Sequence, residues 1–454
     1  MTDKKEQISA REIALGILMD IVQNSNFSHT VMSRTLNQYQ YLEKQDRAFI
    51  TRLCEGTIER MLTLDYILNQ YSSVKVNKMK PLIRNLLRMS LYQVKYMDQI
   101  PDSAACNEAV KLAKKRGFGN LSGFVNGVLR NIVRDTKKVS FPNEETEKEF
   151  FLSVVYSVPE WLVKHFLSQY DYTLVKSMLE ASFQDKKTII RCNTDKITVE
   201  DLTVLLKQNK VTVEPGTYLP YALKIWDYNF LGQLNAFKKG YFQVQDESSM
   251  LVGAVSGVRS GDYIIDVCAA PGGKSLHLAE LLKSSGHVDS RDVSEAKVNL
   301  INENILRNGY TNIKAYVTDA LILDEESIEK ADIVIADLPC SGLGVISKKP
   351  DIKYNMTREK QKNLVKLQRD ILTVVQQYVK KGGTLLYSTC TVNIEENLEN
   401  VRWFTEHFDY RMESIDEFLP SSLLCDTSKE GYIQLLPGIH NTDGFFIAKL
   451  RRKN

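Results

Sequence analysis

The apolar residues of this chain change period near residue 240, and that change limits the folds open to it. Over residues 8–135 they recur three and four apart: Ile13, Leu15, Leu18 and Ile21, then Phe49, Leu53, Ile58 and Leu62, then Leu82, Leu86, Leu87 and Leu91. This is the spacing of one helix face, and no alternating pattern interrupts it. Pro81 suits a first helical turn, where its missing N–H leaves nothing unpaired. Past residue 240 short apolar runs alternate with amphipathic stretches. Strands are expected at 263–267, 287–293, 314–317, 332–336, 384–387, 410–415 and 445–450. Helices are expected at 275–282, 294–308, 360–379 and 395–407. Such alternation implies a mostly parallel sheet covered by helices, with ligands bound beyond the carboxyl ends of its strands.

Between these regions the pattern is mixed. A turn-rich patch around residues 138–146 marks a boundary. A helix is expected at 160–179 and a strand at 188–192. A helix at 199–208 opens on the Thr198 cap, and short strands follow at 211–213 and 223–226. At 454 residues the chain exceeds one ordinary core. The organisation expected is therefore multidomain: an all-α domain at 1–139, a small α+β unit at 140–239 and an α/β domain at 240–454.

Composition excludes several classes. No apolar run reaches membrane-spanning length, and the charged start, Met1-Thr2-Asp3-Lys4-Lys5-Glu6, lacks the apolar core of a signal peptide. A cytoplasmic protein without membrane contact is expected, acting as a monomer. The seven cysteines form no C-x-x-C pair and the six histidines no ligand spacing. Neither a disulfide framework nor a metal site is expected. Residues 1–140 carry 22 Lys/Arg against 13 Asp/Glu, a net +9, which leaves −6 for the rest of a chain whose total is +3. Basic residues gather at Lys75, Lys78, Lys80, Arg84 and Arg88, and at Lys111, Lys114, Lys115 and Arg116. A basic first part suggests a polyanionic partner, against the plain alternative of a solvated helix surface.

The chemistry-bearing residues fall at the ends of the expected strands. Asp266-Val267-Cys268-Ala269-Ala270-Pro271-Gly272-Gly273-Lys274-Ser275 runs from a strand into a glycine-rich turn. A phosphate-binding loop needs G-x-x-x-x-G-K-[ST], but Cys268 stands where its first glycine would be. A dinucleotide fingerprint needs G-x-G-x-x-G, which is also missing. Two further acids, Asp292 and Asp319, end the next two strands, where they could meet ribose hydroxyls and a base edge. Each alone could be a turn or cap residue. Three strand-end acids without a phosphate grip suit a nucleoside cofactor lacking phosphate, S-adenosylmethionine being the obvious one.

Two further runs end on thiols: Asp337-Leu338-Pro339-Cys340, and Tyr387-Ser388-Thr389-Cys390. Methyltransferases acting on amino groups commonly place an aromatic residue after the corresponding proline. A thiol there points instead to carbon. C5 of a pyrimidine is a poor nucleophile until a thiolate adds to the adjacent carbon. The remaining cysteines, Cys54, Cys106, Cys192 and Cys425, read as inert core, Cys268 as a small residue beside the cofactor, and Tyr387 as core packing.

DVCAAPGGKS at 266–275, DLPCSG at 337–342, YSTCT at 387–391, DGFFIAKL at 443–450 and Gln245-Asp246-Glu247-Ser248-Ser249 together resemble the RNA 5-methylcytosine methyltransferases. DRAFITRLCEGTIER at 46–60 and FVNGVLRNI at 124–132 are similar to the helical NusB-like RNA-binding domain. The resemblance covers nearly the whole chain. It implies a NusB-like N-terminal domain, an α+β RNA-binding or linking unit and a Rossmann-like class I methyltransferase domain. It implies bacterial 16S rRNA, or the assembling small ribosomal subunit, as partner. It separates the two thiols: Cys390 attacks C6 and Cys340 assists release. It implies that Asp337 holds the cytosine edge near the cofactor and that Lys274 contacts the target base or reacting centre. Cys268, Ala269, Ala270, Pro271, Gly272, Gly273 and Lys274 would wrap the methionine part of S-adenosylmethionine, with Asp292 and Asp319 on ribose and adenine. The strand 287–292 is more polar than usual in the family, which makes Asp289 a competitor for the ribose. Asp292 is the choice because it directly precedes the helix carrying Val298 and Ile301.

The function expected is cytosine-C5 methylation at an unpaired or flipped-out RNA site, since a duplex hides its base edges. A non-catalytic RNA-binding assembly factor with a methyltransferase-like fold is the alternative, and the intact thiols argue against it. A nucleotide hydrolase using Gly273-Lys274-Ser275 would need the glycine that Cys268 replaces.

Overall fold

The structure, a computed structural model, describes residues 8–24, 26–135, 139–184 and 187–454. The charged start at residues 1–6 and Lys138, where the expected boundary begins, lie outside the described residues. The chain divides into two compact units: Met1–Glu180 with Ile346–Asn355, and Ala181–Val345 with Met356–Asn454.

The first unit is helical, as its apolar period requires. Helices span Ala10–Asn24, Ser28–Gln38, Lys44–Glu59, Met61–Tyr71, Pro81–Tyr96, Asp102–Lys115 and Ser122–Asp135. Their apolar stripes close one core around Leu15, Leu18, Leu53, Ile67, Leu86 and Leu129. Pro81 opens its helix. The helix expected at 160–179 is instead two, Glu160–Leu167 and Tyr172–Ala181. Between them the Asp171 carboxylate accepts from Leu174 N (2.9 Å), so a polar side chain starts a fresh N-terminus where the apolar period alone would continue.

The basic clusters divide. Arg88 is buried and forms a two-pronged pair with Asp65 (2.7 and 2.6 Å), which removes it from the candidate polyanion surface. Lys115 and Arg116 both reach Glu12, and Lys111 pairs with Glu108. Lys75, Lys78, Lys80 and Lys114 stay exposed. A segment that the linear sequence places among the strands, Ile346–Asn355, completes this unit. Asp351 accepts from Ser28 N (3.2 Å) and from the Ser28 hydroxyl. Buried Lys353 donates to Glu59 O (2.7 Å), and the Tyr354 hydroxyl donates to Ser157 O (3.1 Å).

The second unit carries two sheets. The smaller is antiparallel: β1 (Thr188–Cys192), β2 (Thr212–Pro215), β3 (Ala222–Trp226) and β4 (Phe242–Val244), in the order β2-β3-β1-β4. The helix Val199–Gln208 buries Leu202 and Leu206 against it and opens on Thr198, whose Oγ1 accepts from Asp201 N (3.1 Å). β4 has three residues, too few to show a period, and was not expected from the sequence.

The larger sheet contains β5 (Tyr263–Asp266), β6 (His287–Asp292), β7 (Ile313–Val317), β8 (Ala331–Asp337), β9 (Val379–Thr389), β10 (Tyr410–Met412), β11 (Tyr432–Leu435) and β12 (Phe445–Arg452). Its order is β10-β12-β9-β8-β5-β6-β7, with β11 pairing β12. β9, β8, β5, β6 and β7 are parallel, and the pairings of β12 are antiparallel. β8 shows why the parallel strands read as unbroken apolar runs. Ile333 and Ile335 enter the core on one face, Val334 and Ala336 the core on the other. The chain runs β5 to β6 to β7 on one side of β5, then crosses to β8 and β9 on the other. The crevice outside β5 and β8 is therefore the topological switch point, the place where such sheets bind ligands.

Candidate active site

The strand ends at that crevice bring four expected residues into one cluster. Asp337 closes β8 and Lys274 is the second residue of the helix Gly273–Leu281. Lys274 Nζ donates to Asp337 Oδ2 (2.6 Å), and the ammonium lies 5.3 Å from the Phe445 ring centre. Ser388, near the end of β9, donates through Oγ to Asp337 Oδ1 (2.8 Å). Both carboxylate oxygens are thus held, one by a cation and one by a hydroxyl. Beyond them, Cys340 Sγ stands 3.2 Å from Cys390 Sγ; the two are not joined by a disulfide and both are of intermediate exposure. Hydrogen bonding to Cys390, burial and the nearby Glu396 charge push the Cys340 thiol well above its usual value. Burial works against the charge of Lys274, but Asp337, with Asp266 and Cys390, outweighs it and raises the ammonium's pKa. Lys274 therefore stays a cation, paired with Asp337, at this cluster.

The glycine-rich turn is pinned to its neighbours. Val267 N donates to Ile335 O (3.1 Å) and Ala269 N to Arg291 O (2.9 Å). Gly272 caps the following helix at φ 98°, a left-handed conformation that a side chain would strain, and a Cβ there would meet Ile301 Cγ2 at 3.3 Å. The Ala270–Pro271 peptide is cis. Burial, then the charges of Asp292, Asp266 and Asp337, push the Cys268 thiol up, so this sulfur stays protonated and unreactive.

The strand-end acids differ from one another. Asp292 Oδ2 accepts from Ala270 N (2.9 Å), and its Oδ1 accepts from Val293 N (2.8 Å) and Lys297 Nζ (2.9 Å). It faces the glycine-rich turn. Asp289 does not: Arg291 (3.0 Å) and the Tyr263 hydroxyl (2.5 Å) occupy it, and Arg291 also holds Asp324 (3.0 Å). The unusual polarity of β6 is thus an internal ion network. Asp319 Oδ1 closes a turn by accepting from Leu321 N (2.9 Å), and Oδ2 has no partner among the described residues. Asp266 is fully buried. Ser275 donates to its Oδ2 (2.6 Å), while Oδ1 has no partner among the described residues, and burial pushes its carboxyl up to about 7. An orphan acceptor beside small residues and two further acids fits a ligand that brings its own N–H and O–H donors. Among the described residues no group of His, Cys, Asp and Glu could hold a metal, and no helix is long and apolar enough to cross a membrane.

Residues 256–451 match the family described as 16S rRNA methyltransferase RsmB/F. A probable ribosomal RNA small subunit methyltransferase B of Bacillus subtilis (strain 168) is 38% identical over 451 residues, covering 99% of this chain and 100% of that protein. The chain belongs to the RsmB/F family of 16S rRNA methyltransferases. Its first part, residues 8–134, matches the NusB family, and residues 158–228 match the RsmF/B-like ferredoxin-like domain. The three-part architecture expected from the sequence is that of the family. Ribosomal RNA small subunit methyltransferase B of Escherichia coli O17:K52:H18 is 29% identical, covering 99% of this chain and 100% of that protein. Among solved structures, the crystal structure of PH0851 is similar at a TM-score of 0.82 and 25% identity, covering 99% of this chain and 100% of that chain. NSun6 from Pyrococcus horikoshii, solved with SFG, is similar at a TM-score of 0.58 and 25% identity, covering 65% of this chain and 98% of that chain.

In this RsmB/F chain several residues at the site were not anticipated. Ser388 and Lys297 orient the two acids nearest the ligand crevice. Ser341, Gln368, Thr391, Asn393 and Glu396 form a buried, hydrogen-bonded polar group, in which Ser341 and Thr391 directly follow the two thiols in the chain. Its only sequence signal is the polar run Glu395-Glu396-Asn397, read as the start of the helix expected at 395–407; the helix instead begins at Leu398. Cys425 is also corrected. It is exposed, not core, and caps the helix Asp426–Glu430; its slight burial is outweighed by hydrogen bonds with Thr427 and Ser428, which lower its thiol.

Proposed function

We propose that this family member is a cytoplasmic, S-adenosylmethionine-dependent methyltransferase that modifies C5 of a cytosine in 16S rRNA through a covalent cysteine adduct. The observation that carries this reading is the pair of thiols 3.2 Å apart beside the Lys274–Asp337 pair, at the switch point of the sheet. A reaction at an amino nitrogen needs no sulfur nucleophile; a reaction at C5 does. The Cys390 thiol loses its proton and its sulfur bonds to C6. The C5–C6 electron pair moves onto C5, which would take the methyl group as its bond to the donor sulfonium breaks and leaves a neutral thioether. A base then takes the C5 proton, the freed pair restores the double bond, and the C6–S bond breaks to release the Cys390 thiolate, a step that Cys340 assists. Lys274 favours the thiolate, and Asp337, fixed by Lys274 and Ser388, receives the polar edge of the base.

The cofactor's residues are the strand-end acids and the glycine-rich turn. S-adenosylmethionine supplies an electrophilic methyl group when bound. Asp292 and Asp319 would hold its ribose and adenine, and Cys268, Ala269, Ala270, Pro271, Gly272 and Gly273 its methionine part. That the similar protein NSun6 was solved with SFG supports a cofactor of this kind. Asp292→Ala is expected to raise KM for S-adenosylmethionine about 10- to 100-fold, the loss of roughly 1.4 to 2.8 kcal/mol of binding, with KM for RNA unchanged. An unchanged cofactor KM would remove Asp292 from the site.

The reading is tested by incubating the protein with unmodified small-subunit rRNA, free and in the assembling subunit, and methyl-labelled S-adenosylmethionine. Label is expected in RNA, with a cytosine turned resistant to bisulfite. No transfer to either substrate would favour the non-catalytic assembly factor.

A further inference from the structure

Glu396 is fully buried and no cation pairs with it among the described residues. A carboxylate in such a place is expensive unless hydrogen bonds replace its water. Here they do. Ser341 N donates to Oε2 (2.8 Å) and the Ser341 hydroxyl to Oε1 (2.5 Å). Asn393 Nδ2 donates to Oε1 (2.9 Å), and Gln368 Nε2 to Oε2 (3.1 Å). Every surrounding group is a donor. Only an acceptor-only side chain satisfies such a shell; the isosteric glutamine would aim its own N–H groups at other donors.

These bonds end on the two segments that carry the thiols. Ser341, directly after Cys340, is bound by Glu396 twice. Pro339, directly before Cys340, has its carbonyl held by the same Gln368 amide nitrogen (2.9 Å) that donates to Glu396. Cys340 is therefore held on one side by the Glu396 carboxylate, through Ser341, and on the other by Gln368, which Glu396 and Asn400 (2.8 Å) orient together. On the other segment, the Thr391 hydroxyl lies 2.8 Å from the Ser341 hydroxyl, and Asn393 ties its loop to the same carboxylate. The Cys390 carbonyl accepts from Gly344 N (3.1 Å), which ties the two thiol-bearing segments together once more. A Cβ on Gly344 would lie 2.0 Å from Gly444 O, so that frame has no slack.

We propose that Glu396 is the positioning residue that holds Cys340 against Cys390, setting the geometry needed to resolve the covalent adduct. The inference rests on the C5 reading above and deepens it. It assigns Glu396 no contact with RNA or cofactor. Loss of Glu396 loosens the Cys340 segment more than the Cys390 segment, because Ser341, directly after Cys340, makes two bonds to the carboxylate, whereas the Cys390 carbonyl keeps its bond from Gly344 N. First thiol addition is then retained while release is slowed.

The test compares Glu396→Gln, Ser341→Ala and Cys340→Ala in the full-length protein, with rRNA and S-adenosylmethionine. In Glu396→Gln, kcat is expected to fall about 10- to 100-fold, the scale of a displaced reacting group, with KM for RNA and cofactor within about twofold. A covalent protein–RNA band is expected on a denaturing gel, as with Cys340→Ala. Ser341→Ala removes one hydroxyl and leaves Glu396 its three other donors; it is expected to give the same band more weakly, and it decides the matter if Glu396→Gln does not fold. A purely structural role would lower Tm without producing the band. A band in Cys340→Ala but in neither other variant overturns the inference and leaves the C5 reading standing. No band in any of the three overturns both.

Discussion

Cys390→Ala is expected to abolish methyl transfer to rRNA, by roughly 10⁴-fold or more, the scale on which loss of a covalent nucleophile shows. The cause is chemical. Without sulfur addition at C6, C5 carries no electron pair able to displace a methyl group. The fold should not be at issue. Cys390 is only partly buried, and removing one sulfur from such a position costs about 1 kcal/mol or less. Binding of RNA and of S-adenosylmethionine should stay within about twofold, because the acids and the glycine-rich turn are untouched. Filter binding and labelled-methyl transfer check the two halves separately. Transfer within tenfold of the parent enzyme would show that another group attacks, or that no covalent step exists.

Cys340→Ala is expected to give the opposite phenotype: attack proceeds and release stalls. Protein–RNA adduct should accumulate toward stoichiometric yield, survive denaturation, and disappear on nuclease digestion. The geometry makes this variant specific, since the two sulfurs are neighbours and only one is removed. The thiol of Cys340 is pushed up by its bond to Cys390, by burial and by Glu396, so it stands in its protonated form beside the sulfur that must leave. If the adduct formed in Cys390→Ala and not in Cys340→Ala, the two roles would be reversed.

Much of this was legible before any coordinates. Helices with a three-four period and strands buried on both faces announce themselves by hydrophobic spacing, and residues 8–135 and the strands β5 and β8 show it. The strand-end acids and thiols were legible because parallel sheets put ligands beyond their carboxyl ends. What spacing could not separate, hydrogen bonding did. Asp289 and Asp292 both lie on a polar strand, and only the partners of each, Arg291 against Ala270 N, tell an internal ion pair from an acid facing the crevice. Arg88 looked like part of a basic surface because the sequence does not show Asp65 facing it. The break at Asp171 and the three-residue β4 are local events that no period resolves. Glu396 was hidden most completely. Its value lies in four donors from three separate segments, a relation that exists only once the chain has folded.

The central claim is that methyl transfer occurs at C5, and the C5 hydrogen reports it directly. Small-subunit rRNA transcribed with tritium at C5 of cytosine is incubated with the enzyme and S-adenosylmethionine carrying a carbon-14 methyl group. Tritium released to water is expected to match carbon-14 gained by RNA, one for one, because aromaticity returns only when that hydrogen leaves. Methyl gain with all tritium retained would place the methyl group on another atom and contradict the account.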